Sequence, residues 1–138
     1  MSVVSYNEQE LKLLARLMRA EAEGEGALGM LMVGNVGVNR VLANCLDFKD
    51  ITSIYKMVFQ RPGGFEATLN SYFYQSARQS DIKLAKRSLK GERHDPATKA
   101  LWFYSTTENC SAQWWGQWNS GRYKSHCFYA PVDSENCY

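Results

Sequence analysis

Three glutamates stand at alternate positions where an apolar segment with helical periodicity meets a glycine-rich junction: Glu21, Glu23 and Glu25. Enzymatic cleavage of a glycosidic bond needs a carboxylic acid that protonates the leaving oxygen, and this acid must hold its proton near neutral pH. An apolar environment raises the pKa of such an acid. Glu21 adjoins Met18 and Ala22, whereas Glu23 and Glu25 lie nearer the turn, where we expect more water. The pattern therefore predicts Glu21 as the acid of a glycan-cleaving enzyme.

The sequence does not select a second carboxylate, although most glycoside hydrolases use a pair. The candidates are Glu25, Glu66, Asp95 and Glu108. One carboxyl group suffices where the N-acetyl or 6-hydroxyl group of the sugar is the internal nucleophile, and Glu21 could then act alone as acid and base. A solvated surface cluster at a helix end is the alternative to any catalytic role of these residues.

Three tryptophans, Trp114, Trp115 and Trp118, are concentrated in a polar stretch that also supplies glutamine and asparagine amides. Sugar rings stack their apolar faces on aromatic rings, and amides bind hydroxyl and acetamido groups. The stretch predicts a glycan-binding groove, with a loop that buries its indoles in the core as the alternative. Nucleic acid would require more lysine and arginine among these rings, and the formal net charge is only +2, so we expect no nucleic-acid partner.

The four cysteines, Cys45, Cys110, Cys127 and Cys137, form no C-x-x-C pair, so the sequence predicts no metal site and no cofactor. We expect reduced or partly buried thiols, although Cys127 and Cys137 could be joined in an oxidising setting. A thiol nucleophile formed by Cys127 with His126 is disfavoured, because neighbouring strand residues point to opposite faces. Cys45 or Cys110 paired with a histidine is the remaining possibility for a cysteine hydrolase.

The predicted elements indicate a mainly helical α+β fold with a small β-sheet in the C-terminal part, built as one domain over residues 1–138. Asn7 and Glu10 resemble a capping box at the start of the first helix. The second helix is apolar on all sides, which predicts a central position. Helices are predicted over 7–22, 26–43, 51–59 and 75–90, strands over 101–105 and 126–130, and a loop between those strands.

The helix over 75–90 is rich in lysine and arginine, which indicates a solvated face, with a docking surface for an acidic polymer as the alternative. Residues 1–10 do not resemble a signal peptide, and no apolar run is long enough to span a bilayer. We therefore expect the protein to stay in the compartment where it is made.

Several motifs follow one another along residues 11–130. They are Ala20-Glu21-Ala22-Glu23-Gly24-Glu25, Asn39-Arg40-Val41, Val58-Phe59-Gln60 with Phe65, Asp95-Pro96-Ala97-Thr98, Ala100-Leu101-Trp102-Phe103-Tyr104 and His126-Cys127-Phe128. This ordered set resembles the spore cortex-lytic hydrolases of the SleB/CwlJ type, and is most similar to the short CwlJ-type members. The stretch from Trp114 to Trp118 and the tail with Cys137 depart from the SleB pattern.

The resemblance implies a lysozyme-related domain that cleaves the glycan strand of cortex peptidoglycan, which contains muramic-δ-lactam, during germination. The SleB type is understood as a lytic transglycosylase, and the CwlJ type is associated with the spore coat, with activation by calcium dipicolinate and often with a coat partner protein. It also implies a location in the coat or at the cortex–coat boundary, after synthesis in the mother-cell cytoplasm without a signal peptide.

The resemblance places Glu21 on the catalytic glutamate of the family. Glu21 would donate its proton to the glycosidic oxygen. Its carboxylate would then take a proton from the sugar's 6-hydroxyl group or from water. Asn39 or Tyr104 would position an acetamido or hydroxyl group. The predicted substrate-binding residues are Glu25, Asn39, Phe65, Tyr104, Trp114, Trp115 and His126. The rival functions are a non-catalytic coat or glycan-binding protein that keeps the fold, and an amidase or muramidase that acts by plain hydrolysis.

Overall fold

The computed structural model describes residues 2–62 and 64–137. The α-helices are α1 (Glu8–Ala22), α2 (Gly26–Leu42), α3 (Ile54–Val58) and α4 (Gln79–Leu89). The strands are β1 (Trp102–Ser105), β2 (Gln113–Trp114), β3 (Gln117–Tyr123) and β4 (His126–Ala130), and short 3-10 turns cover Glu23–Glu25, Leu46–Phe48, Glu66–Leu69, Ser71–Tyr74 and Asp133–Glu135. The predicted mainly helical α+β fold with a small C-terminal sheet is confirmed.

Helix α1 begins at a capping box, as predicted. The side chain of Asn7 accepts a hydrogen bond from the backbone N–H of Glu10 at 2.8 Å, and the Glu10 carboxylate accepts one from the backbone N–H of Asn7 at 3.1 Å. These two bonds satisfy donors that a helix start otherwise leaves unpaired. The helix buries Leu11, Leu14 and Met18 and ends at the acidic junction.

Helix α2 is the centre of the domain, as its apolar composition predicted. Every residue from Gly29 to Arg40 is buried, and α1, α3 and α4 pack around it. Gly34 allows the closest of these approaches, because a Cβ atom there would lie 2.3 Å from the hydroxyl oxygen of Ser88 on α4. Among the residues described, no helix combines the length and the apolar character that a membrane span requires.

Helices α3 and α4 are confirmed but shorter than the predicted spans of 51–59 and 75–90. Two short 3-10 turns, Glu66–Leu69 and Ser71–Tyr74, lie between α3 and α4. On α4, Ile82, Ala85 and Leu89 face inward. Gly91 follows the helix with a φ of +102°, the left-handed conformation in which glycine commonly ends a helix.

The loop predicted between the two strands is wrong, because this region contains β2 and β3 and completes an antiparallel sheet in the order β1-β4-β3-β2. Trp115 and Gly116 close the β2–β3 hairpin with φ values of +55° and +82°. A two-residue hairpin turn needs positive φ at both positions, and Asn-Gly is its usual signal. In Trp115-Gly116 only the glycine matches that usual sequence, so the turn was not recognised. Strand β3 also alternates exposed and half-buried positions, and polar side chains occur among both, so it lacks an apolar run.

The expectation of reduced thiols is wrong as well. Cys45 pairs with Cys137, and Cys110 pairs with Cys127, so neither the Cys127–Cys137 pairing nor a free thiol occurs. Both disulfides join residues that tertiary structure brings together from distant positions, which spacing alone does not reveal. With all four sulfurs in disulfides, a cysteine nucleophile and a cysteine-ligated zinc ion are excluded.

Polar side chains on α2 attach the segment that leads into the sheet. Asn39 donates from its amide to the carbonyl oxygens of Ala97, Thr98 and Ala100 at 2.9 to 3.2 Å. Arg40 donates from Nε to the carbonyl oxygen of Leu101 at 2.8 Å. Buried polar groups are stable only when they are paired in this way, so these bonds fix the start of β1 against the helical core.

Candidate active site

A cavity of about 820 Å³ opens between the C-terminal end of α1 and the sheet. Glu21 of α1, Arg40 of α2 and Gln117 of β3 line it, together with residues 46–48, 64–66, 102–105 and 114–115. Of the predicted site residues, the structure brings five to this cavity: Glu21, Phe65, Tyr104, Trp114 and Trp115. The cavity therefore combines one half-buried acid with an aromatic wall.

Glu21 lies in the last turn of α1, and its side chain is partly buried. Its Oε1 accepts a hydrogen bond from the backbone N–H of Ala67 at 3.3 Å. Burial raises the pKa of Glu21, and the nearby carboxylate of Glu66 raises it further, whereas the Ala67 N–H and the positive charge of Arg40 act in the opposite direction. The balance favours a carboxyl group that keeps its proton to a higher pH than an exposed glutamate does.

Arg40 is a buried cation in the cavity wall, with 5% of its surface exposed. Its guanidinium carbon lies 4.8 Å from the ring centre of Phe48 and 4.4 Å from that of Phe65. Burial lowers the pKa of Arg40 to about 10, against the opposing charges of Glu21 and Asp47. Arg40 is therefore still positively charged at neutral pH.

The aromatic wall is built on the sheet. Tyr104 stacks on Tyr129 with the ring centres 5.6 Å apart, and Trp114 packs edge-on against Tyr104 at 4.9 Å. The phenolic oxygen of Tyr104 accepts the backbone N–H of Ser111 at 3.1 Å. Hydrogen bonding with the Ser111 side chain and with the Ser111 backbone N–H, and then with the Tyr129 hydroxyl, lowers the pKa of Tyr104. These contacts hold the Tyr104 ring in one orientation at the cavity.

The neighbouring tryptophans have different surroundings. Trp114 is half-buried against the sheet, whereas Trp115 is 85% exposed at the tip of the β2–β3 hairpin. Trp118 is exposed too, but it does not line the cavity. One indole therefore packs on the sheet, and another is presented to solvent at the cavity rim.

Glu25 does not reach the cavity, and its side chain is less exposed than that of Glu23. The chain leaves α1 through the 3-10 turn Glu23–Glu25, and the side chain of Glu25 points to the β3–β4 turn. There its carboxylate accepts hydrogen bonds from the backbone N–H of Ser125 at 3.1 Å and from the Ser125 hydroxyl. Only 13% of the Glu25 side chain is exposed, against 42% for Glu23.

Asn39 and His126 also lie outside the cavity lining. Asn39 is buried, and its amide is engaged by backbone carbonyl groups. The ring of His126 is buried beside Phe103, with the ring centres 5.0 Å apart, and its Nε2 lies 3.9 Å from a carboxylate oxygen of Glu25. Burial lowers the pKa of His126, and Glu25 opposes that shift.

Two further carboxylates line the cavity, and the sequence indicated only one of them. Glu66 was among the candidates for a second carboxylate, and it alone of those four residues reaches the cavity. Asp47 was not considered, because it belongs to a short 3-10 turn without a recognisable pattern. Arg40 was missed as a cavity residue, although it stands beside Asn39 in a motif of the resemblance. Its proximity to Glu21 depends on how α1 and α2 pack.

Comparison with known sequences identifies the family of the chain. The profile of the Cell Wall Hydrolase family matches residues 24–129, beginning three positions after Glu21. The chain is 63% identical over 135 residues to the cell wall hydrolase CwlJ of Oceanobacillus iheyensis, covering 98% of this chain and 96% of the relative. It is 52% identical over 137 residues to CwlJ of Bacillus subtilis strain 168, covering 99% and 95%.

Two solved structures share the fold. The catalytic domain of the Bacillus cereus SleB protein superimposes with a TM-score of 0.73 at 22% identity, covering 91% of this chain and 92% of that one. The catalytic domain of the germination-specific lytic transglycosylase SleB from Bacillus anthracis gives 0.73 at 20% identity, covering 91% and 97%. The lysozyme-related fold expected from the sequence is thereby confirmed. Because the family profile covers most of the chain and the relatives match over nearly their whole length, the chain belongs to the Cell Wall Hydrolase family and is a cell wall hydrolase.

Proposed function

We propose that this hydrolase cleaves the glycan strand of spore-cortex peptidoglycan, with Glu21 as its acid and base. The observation that carries the proposal is the position of Glu21: a half-buried carboxyl group with a raised pKa, on the wall of a cavity rimmed by exposed and half-buried aromatic rings. General acid catalysis needs a proton donor of this kind, and a sugar chain needs aromatic faces to stack on. The similar SleB structure described as a germination-specific lytic transglycosylase supports the choice of reaction.

The chemical step follows from one carboxyl group. Glu21 donates its proton to the glycosidic oxygen as the bond from that oxygen to the sugar's anomeric carbon breaks, and the bonding electrons leave with the oxygen. The 6-hydroxyl oxygen of the same muramic-type sugar then bonds to the anomeric carbon. Its proton passes to the Glu21 carboxylate, which restores the acid. The products are a free hydroxyl end and a 1,6-anhydro end.

Attack by water is the second candidate, and the further carboxylates in the cavity favour it. Glu66 and Asp47 line the same cavity as Glu21, and hydrolytic glycosidases commonly use a second carboxylate to activate water or to stabilise the positive sugar intermediate. In that reaction the water oxygen bonds to the anomeric carbon and its proton passes to a carboxylate. The product is then a reducing end.

The predicted substrate contacts belong to this proposal. A glycan strand containing muramic-δ-lactam would lie along the aromatic wall of Tyr104, Trp114 and Trp115. Phe65 lines the same cavity outside the sheet. Asn39, Glu25 and His126 remain predicted site residues from the resemblance, although their side chains contact other parts of the chain. In this proposal the protein is made in the mother cell and lies in the coat or at the cortex–coat boundary. There it binds a coat partner protein.

Mass spectrometry of the fragments released from purified cortex that contains δ-lactam tests the reaction. We expect anhydro ends from the wild-type protein, and a loss of about a hundred- to ten-thousand-fold in Glu21→Gln with an unchanged melting temperature. The matched control is Glu23→Gln, an exposed acid two positions away that does not line the cavity. Reducing ends would select water attack. Near-normal activity of Glu21→Gln, or no fragments from the wild-type protein, would contradict the proposal.

A further inference from the structure

The guanidinium group of Arg40 is held in the cavity wall by groups from three segments. The ring of Phe48 comes from the Leu46–Phe48 turn, the ring of Phe65 precedes the Glu66–Leu69 turn, and the carbonyl oxygen of Leu101 immediately precedes β1. Arginine differs from lysine in that its planar, weakly hydrated head group stacks on aromatic faces while it donates hydrogen bonds in the plane. One side chain therefore joins three walls of the cavity.

A buried positive charge is costly, so its position in the cavity calls for an explanation beyond packing. Replacing a buried ion by an apolar side chain of similar volume is often neutral or stabilising. The two phenyl rings around Arg40 would accommodate such an apolar side chain. The cation, however, lines the same cavity as Glu21, the carboxyl group on which the proposed reaction depends. Its guanidinium stacks on Phe65, two positions before Ala67, whose backbone N–H binds the Glu21 carboxyl.

We propose that Arg40 is a positioning residue for the reaction: its fixed positive charge stabilises the carboxylate that Glu21 becomes when it donates its proton, and its side chain holds the cavity walls around that carboxylate. The inference rests on the proposed role of Glu21 and extends it to a residue that does not exchange protons itself. Charge stabilisation of this kind is most effective where the charged group is already fixed before the reaction, as Arg40 is between its two rings.

The charges that face Glu21 come from three elements. Glu66 on the Glu66–Leu69 turn disfavours the carboxylate, whereas Arg40 on α2 favours it, as does the backbone N–H of Ala67. Asp47 on the Leu46–Phe48 turn lines the same cavity and favours the charged form of Arg40. Tyr104 on β1 lines the opposite wall, where its phenol is engaged by Ser111 and Tyr129. Arg40 is therefore the cation in this set that strengthens the acid.

Removal of the charge should weaken the acid. In Arg40→Met, we expect the pKa of the Glu21 carboxyl to rise, because the positive charge of Arg40 opposes the shift that burial causes. The pH above which activity falls should move up by the same amount, since the reaction needs protonated Glu21. The maximal rate should fall by about tenfold or more, because a weaker acid transfers its proton less readily.

Two variants separate charge from geometry. Arg40→Gln is also neutral, and its amide is a possible donor to the carbonyl oxygen of Leu101. Arg40→Lys keeps the charge but loses the planar stacking. We expect both neutral variants to raise the pKa of Glu21, and Arg40→Lys to leave it close to the wild-type value while lowering the melting temperature.

Carbon-13 NMR titration of the glutamate side-chain carboxyls in the full-length protein measures this directly, with the Glu21 signal identified by its absence in Glu21→Gln. An upward shift in the neutral variants, with a matching displacement of the pH–activity curve, supports the proposal. A folded neutral variant whose Glu21 titrates as in the wild type would overturn it. So would failure of both neutral variants to fold, because Arg40 would then serve the fold alone. The titration reports on Arg40 even if Glu21→Gln remains active, so the two proposals fail separately.

Discussion

Glu21 and Glu25 are the same residue type, four positions apart, on either side of the end of α1, yet their surroundings differ in kind. Glu21 accepts one backbone hydrogen bond and faces a cavity, and burial raises its pKa. Glu25 accepts two hydrogen bonds from Ser125 and faces the β3–β4 turn. Two partly buried carboxyl groups can therefore have different environments. One oxygen of Glu25 is held by two donors of the β3–β4 turn, whereas Glu21 borders open space.

The turn between the two residues produces this difference. A continued helix would place positions 21 and 25 on one face. Instead, α1 ends at Ala22, the 3-10 turn Glu23–Glu25 follows, and α2 begins at Gly26 with a φ of +82°, which suits glycine. The junction therefore sends one carboxylate to the cavity and the other to the sheet.

The largest contrast concerns activity. We expect Glu21→Gln to lose about a hundred- to ten-thousand-fold in rate, and Glu25→Gln to stay within a few-fold of the wild type, because only Glu21 lines the cavity. Release of labelled fragments from peptidoglycan, measured per folded molecule, compares the two. Equal losses in both variants would remove the distinction and support the predicted place of Glu25 in the site.

Stability should show the reverse order. Glu25→Ala leaves the backbone N–H of Ser125 without its carboxylate acceptor in a partly buried turn, so we expect a loss of about 1 to 3 kcal/mol in the free energy of unfolding. Urea denaturation at neutral pH measures it. Glu23→Ala is the control and should cost less, because the ion pair of Glu23 with Arg78 is exposed. A loss in Glu23→Ala as large as that in Glu25→Ala would contradict this assignment.

The pH dependence sharpens the comparison further. Glu66 raises the pKa of Glu21, so Glu66→Gln should lower that pKa and move the alkaline limb of activity to lower pH, opposite to the neutral Arg40 variants. Because Glu66 is exposed, we expect this displacement to diminish in high salt. A pH–activity curve at two salt concentrations provides the measurement. An abolished activity would instead make Glu66 the second carboxylate of a hydrolytic reaction.

The smallest effect concerns Glu25 and His126. Burial lowers the pKa of His126 in the folded state, so its contribution to stability is present above the ordinary imidazole value and is lost as the pH falls through the lowered folded value. Glu25 opposes the lowering. We therefore expect Glu25→Gln to lose more stability than the wild type between about pH 7.5 and 5.5. Denaturation at both pH values measures it, and equal losses in the two proteins would show that Glu25 does not act on His126.

Much of the helical region could be predicted from the sequence, because its signals are local. The capping box at Asn7, the apolar continuity of α2 and the glycine after α4 each depend on residues within a few positions of one another. The β2–β3 hairpin was missed because its turn uses Trp115 before Gly116 and its strand carries polar side chains on the exposed face. The aromatic composition indicated what that stretch could bind, but not that it forms strands.

The sequence by itself determined the helices, the apolar flank that singles out Glu21 and the ordered motifs of the family. Tertiary structure alone decided which cysteines pair, that Glu25 turns to the sheet, and that Arg40 and Glu66 bring opposite charges to bear on Glu21. The physical reason is range. Capping and amphipathic periodicity act over a single turn of helix, whereas the pKa of an acid depends on burial and on charges that are distant in sequence and that only packing places beside it.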